Sequence, residues 1–91
     1  MDIRTIFLKI PTQDIAYLKF LIESYEGVGI VRTVDQRQAI VVLLIAEDHM
    51  DTVRSILASV RQELPIVEVP RPQGVGDDWL FKEITEEENS S

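Results

Sequence analysis

Ile3 to Ile10 alternates Ile6, Leu8 and Ile10 against Thr5, Phe7 and Lys9, the period of two that marks a strand, and Pro11 stops it. Phe7 is out of place on the otherwise polar side. Thr12 or Asp14 is positioned to cap a helix whose apolar residues Ile15, Leu18, Ile22 and Tyr25 recur at steps of three and four, with Gly27 as its C′ glycine. Leu21 widens that stripe, but Phe20 falls off it, between the polar positions Glu23 and Ser24, and is expected to be partly exposed. Val28 to Val34 forms a second strand, and Asp35-Gln36-Arg37-Gln38 links it to the run Ala39–Ala46 by a connection short enough for a hairpin. Glu47-Asp48 opens a second helix with Asp48 as its cap, and Met50, Val53, Ile56, Leu57, Val60 and Leu64 form its apolar face before Pro65. Ile66 to Val69 is a short fourth strand ended by Pro70, which suits a sheet edge.

The run Ala39-Ile40-Val41-Val42-Leu43-Leu44-Ile45-Ala46 has no polar interruption. Side chains alternate across a strand, so Val41, Leu43 and Ile45 point to one face, Ile40, Val42 and Leu44 to the other, and both sets need cover. The order β-α-β-β-α-β over residues 1–70 is the split βαβ, ferredoxin-like arrangement. It is an α+β two-layer sandwich: a four-stranded antiparallel sheet with two helices on one face and the first and third strands central. Those are the two most apolar strands, so pattern and topology agree. Two helices cover one face of such a sheet; either set of the third strand could meet them, and Phe7 together with a set such as Ile40, Val42 and Leu44 marks a second apolar face that something else must close.

After that unit the texture changes. Residues 71–76 are a Pro/Gly linker, residues 77–84 concentrate Trp79, Leu80, Phe81 and Ile84, and residues 85–91 are an acidic end expected to be disordered. The apolar segment is expected to pack on the sheet or on a neighbouring copy. The net charge of −7 also sits mostly here: residues 77–91 carry 6 acidic and 1 basic side chains, against 10 and 8 in residues 1–76. A nearly neutral body without clustered Lys and Arg has no electrostatic footprint for nucleic acid or an anionic membrane.

The chain has no cysteine, which removes disulfides, CxxC redox pairs and thiolate metal sites. The first residues lack the features of a secretory leader and no run reaches the ~20 apolar residues of a membrane helix, so cytoplasm is the expected compartment. The single histidine, His49, has no second His or Cys beside it in pattern, and Glu47, Asp48 and Asp51 read as helix-start carboxylates rather than as ligands. Gly74-Val75-Gly76 lacks the lysine and the spacing of a phosphate loop. No catalytic residues, cofactor or metal site are expected.

Within the ferredoxin-like class, the RNA-binding members stack bases on aromatics of the two central strands, and here Phe7 stands alone. Copper carriers need a CxxC. Acylphosphatases use an Arg and an Asn, and the only asparagine here is Asn89. Tyr25-Glu26-Gly27-Val28-Gly29-Ile30 resembles the stretch after the first helix of ACT-type regulatory domains. That resemblance implies amino-acid binding near Pro11, Thr12, Gln13 and Asp14 and association through sheets, although Pro11-Thr12-Gln13-Asp14-Ile15 lacks the glycine usual between strand and helix. Ile15 to Asp35, Pro70-Arg71-Pro72 and Asp77-Asp78-Trp79-Leu80 also resemble a small uncharacterised bacterial family, which implies a stand-alone domain and supplies no activity.

The expected function is a non-enzymatic module that associates with itself, a dimer being favoured, or with another protein. Its expected interface residues are Phe7, Phe20, Val42, Leu44, Trp79, Leu80, Phe81 and Ile84. The alternative is a domain that senses a small molecule.

Overall fold

Strands β1 (Ile3–Lys9), β2 (Gly29–Asp35), β3 (Ile40–Ala46) and β4 (Val67–Val69) form one antiparallel sheet in the order β2-β3-β1-β4. This is the ferredoxin-like arrangement, with helices α1 (Ile15–Glu23) and α2 (Met50–Val60) as the crossovers. The computed structural model describes residues 2–25 and 27–74. The linker's last residues, the 77–84 segment and the 85–91 end lie outside them.

The ladders decide which side of β3 meets the helices. Val41, Leu43 and Ile45 join Ile6 and Leu8 of β1, Ile10 just beyond it, Leu18 and Ile22 of α1, and Val53, Leu57 and Val60 of α2 in one buried cluster. The other set lies on the outer face. Phe7 is opposite both Val42 and Val69, and Arg32 is opposite Val42, so Arg32, Val42, Phe7 and Val69 make one row across all four strands. Phe7, Val42 and Leu44 form a second, separate cluster there. The sheet therefore has two apolar faces.

The helix starts differ from the sequence expectation. Each helix is preceded by a 3₁₀ turn, Thr12–Asp14 before α1 and Glu47–His49 before α2, and neither Asp14 nor Asp48 makes a side-chain cap. The backbone does that work, since the N–H of Ile15 donates to the Thr12 carbonyl and that of Met50 to the Glu47 carbonyl. At the other end α1 stops two residues before Tyr25. The Ser24 hydroxyl donates to the Leu21 carbonyl at 2.8 Å, which satisfies one of the terminal acceptors without Gly27. Tyr25 is consequently exposed rather than part of the core stripe. Leu64 also lies beyond its helix, on a turn whose N–H donates to the Val60 carbonyl at 2.8 Å, and still packs against the helix-side cluster.

In the β2–β3 connection Asp35 Oδ1 accepts from the Gln38 N–H at 3.0 Å, an Asx-type closure, and Ala39 takes a left-handed conformation with φ 57°. That conformation is unfavourable for a residue with a Cβ by about 1 kcal/mol or more. Ala39→Gly should therefore raise stability by up to about 1 kcal/mol, read by urea denaturation, the larger unfolded-state freedom of glycine offsetting part of the gain. A loss of stability would show that Ala39 is not strained.

The short edge strand β4 is bracketed by Pro65 and Pro70 and held under α2 by charge. Arg54 donates to Glu68 Oε1 at 2.7 Å, with Arg61 at 3.8 Å from the same oxygen, and the Arg54 hydrogen bond holds the Glu68 carboxyl below its ordinary range. Arg4 and Glu47, 2.7 Å apart, pair in the same way where β1 begins, and their hydrogen bond lowers the Glu47 carboxyl. Both pairs are solvent-exposed, so they fix position more than they stabilise.

Candidate functional site

Helix α1 is apolar on more than its core side. Leu18 and Ile22 are buried and Ile15 and Leu21 half-buried against the helix-side cluster, yet Tyr17, Phe20 and, just beyond the helix, Tyr25 face water. Phe20 is 69% exposed, the most exposed large hydrophobic residue among the described residues. Positions 16, 19, 20 and 23 are spaced by three, one and three, so Ala16, Lys19, Phe20 and Glu23 form one outward stripe, and they line a shallow depression together with Ser24.

The charges of that stripe are unusual. Among the described residues Lys19 takes part in no ion pair, and the Oε2 atom of Glu23 is buried without a hydrogen-bond partner. A buried acceptor left in that state costs about 1–3 kcal/mol. Among the described residues, then, one cation without an ion pair and one orphaned carboxylate oxygen flank an exposed aromatic ring.

On the opposite side of α1, a groove of about 380 Å³ runs between the helices, with Tyr17, Leu21 and Tyr25 on one wall and Ile56, Ser59 and Glu63 on the other. The Tyr17 hydroxyl reaches Glu63 Oε2 at 3.5 Å across it.

Pro11 lines a shallow cavity of about 340 Å³ with Ile10, Ala39, Pro65 and Val67, in which Lys9 is the single charged residue. Thr12, Gln13 and Asp14 form the 3₁₀ turn beside it and do not line it. An amino acid needs partners for an ammonium and a carboxylate, and this apolar hollow offers a lysine alone. His49 stands at the N-cap position of α2, and Glu47 is engaged by Arg4. Among the described residues no three His, Cys, Asp or Glu side chains gather as a metal would need.

Of the residues expected at an interface, Phe20 is exposed, whereas Phe7, Val42 and Leu44 are 5%, 0% and 3% exposed within a single chain. Trp79, Leu80, Phe81 and Ile84 lie outside the described residues. Sequence reading flagged Phe20 because it left the apolar stripe, but the orphaned Glu23 oxygen depends on packing and carries no sequence signal.

Residues 8–64 match the family described as a domain of unknown function, DUF4911. The chain belongs to this family. No curated protein and no solved structure matches it. The DUF4911 match runs from the end of β1 to the turns after α2. The α1 stripe, Val42 and Leu44 lie within it; Phe7, β4 and Arg71 lie beyond it. Among the described residues of this DUF4911 member, no helix is long and apolar enough to cross a membrane.

Proposed function

We propose that this protein is a non-enzymatic module that acts by pairing with a second copy of itself through α1. The observation that carries the reading is the stripe in which exposed Phe20 is flanked by Lys19, which has no ion pair among the described residues, and by the acidic side chain of Glu23.

Such a stripe is complementary to itself. When two copies of α1 cross antiparallel about a two-fold axis at the level of residue 21, Lys19 of each stands opposite Glu23 of the other. With a rise of 1.5 Å per residue the two Phe20 rings are then offset by about 3 Å along the helices, close enough to touch. The lysine ammonium of each copy then faces the Glu23 side chain of the other, and Ala16 leaves room for close approach. The sheet is a weaker candidate for self-pairing, because Phe7, Val42 and Leu44 are already withdrawn from water in one chain. Two nine-residue helices with flanking tyrosines bury less than the ~800 Å² per partner of a standard interface, so the dimer belongs at the micromolar end of affinity.

Sedimentation equilibrium over a wide concentration range tests this. The wild type should populate dimer in the micromolar range. Phe20→Asp should be monomeric with an unchanged melting temperature, since the ring is mostly in water. Lys19→Glu and Glu23→Lys should each weaken pairing by placing like charges opposite each other. An equimolar mixture of the two should associate, because each mixed contact then joins opposite charges. A wild type that stays monomeric, or a mixture that fails to pair, rejects the proposal.

A further inference from the structure

The outer face of the sheet is buried in a single chain without a described layer to bury it. Val42 is fully buried, and Leu44 and Phe7 nearly so, yet the apolar residues packed against them, Ile30, Val34 and Val69, belong to the same sheet. Residues side by side on one pleated face narrow the gaps between side chains and leave their tips open. Cover has to come from above.

The path of the chain shows where it begins. β4 brings Val69 beside Phe7, and two residues later the Arg71 guanidinium lies over the Phe7 ring, 5.8 Å from its centroid, at cation–π range. The described chain therefore already sends one side chain, that of Arg71, from the sheet edge over the outer face before Gly74.

From this geometry we infer that the segment Asp77–Ile84 of the same chain lies across the outer face as a strap, with Trp79, Leu80, Phe81 and Ile84 supplying the missing apolar layer over Phe7, Val42 and Leu44. Reach is ample. Four strands about 4.8 Å apart span roughly 14 Å, whereas the ten residues from Gly74 to Ile84 cover about 15 Å even as a helix and about 33 Å extended. Charge matches as well: Arg32 lies in the central row of the face and Arg71 above it, and the segment opens with Asp77-Asp78. A strap on a tether of this length has a high effective concentration over its own sheet, which favours it over another molecule.

Trp79 is the only tryptophan, so the full chain reports on itself. At concentrations where the protein is monomeric, its emission should be blue-shifted and its quenching by acrylamide several-fold weaker than for free tryptophan amide, at every dilution. The chain has no cysteine, so a nitroxide can be attached at one site. On Lys9→Cys, at the edge of the outer face, it should quench Trp79 strongly; on Ser59→Cys, on the exposed side of α2, it should not. The double variant Leu80→Asp/Phe81→Asp should retain its circular dichroism, lose the protection of Trp79 and bind an apolar dye. Trp79 as accessible as the free amide, protection that grows with protein concentration, or stronger quenching from Ser59→Cys each overturns the inference.

Discussion

Truncating Leu43 and Leu44 to alanine, one at a time, is expected to cost nearly the same stability, about 3 kcal/mol each. Leu43 belongs to the helix-side cluster with Leu8, Leu18 and Leu57, where losing three carbons leaves a cavity that two packed helices cannot close. Leu44, the next residue, points the other way, where a strand of an ordinary open two-layer sandwich meets water. There the same truncation would cost well under 1 kcal/mol. Leu44 is only 3% exposed, so its loss should resemble a core truncation. For a chain of this size each variant should melt roughly 12–24 °C lower than the wild type. Thermal unfolding followed by circular dichroism decides the matter, and a Leu44→Ala variant that melts close to the wild type would show that the outer face is wet.

The second large effect falls on a glycine. Gly29 opens β2 opposite Ile45, and a Cβ placed on it would stand 2.5 Å from the carbonyl oxygen of Leu44 and 3.3 Å from the Cα of Ile45. Both atoms are backbone of the paired strand and have no rotamer through which to move aside. Gly29→Ala should therefore push the start of β2 away from β3 and destabilise by about 2–3 kcal/mol, the upper part of the range for overpacking. Gly27→Ala is the comparison. Gly27 has φ +78° and no atom within 4 Å of the added carbon, so the left-handed backbone alone is felt there, at about 1 kcal/mol. Urea titration of the two variants separates them. Equal losses would mean that β2 accommodates the new carbon by moving.

The element order and both apolar faces of β3 were readable in the sequence because they rest on periodicity, which needs no knowledge of the partner surface. Phe20 was readable for the same reason, as a ring in the wrong place on a helix. Other features had no such signal. Ala39 adopts a left-handed conformation that glycine or asparagine would have advertised, and the apolar run continued through it. Asp14 and Asp48 have the right chemistry for caps, but a 3₁₀ turn ahead of each helix carries the first N–H bonds. The approach of Gly29 to Leu44, the ring of Phe7 under Arg71 and the unpartnered oxygen of Glu23 exist only once separate elements are packed.

Because β1 and β3 contribute to both apolar clusters, neither cluster can be completed before these two strands meet. Their pairing joins Ile3–Lys9 to Ile40–Ala46, so a helix and a strand must be enclosed in one loop before either core is formed. The chain thus spends its conformational entropy on a non-local contact first and recovers it on two sides together. Cooperativity follows from that geometry: a sheet shared by two layers makes their folding one event, so that a partly assembled molecule with one finished core is a poor intermediate.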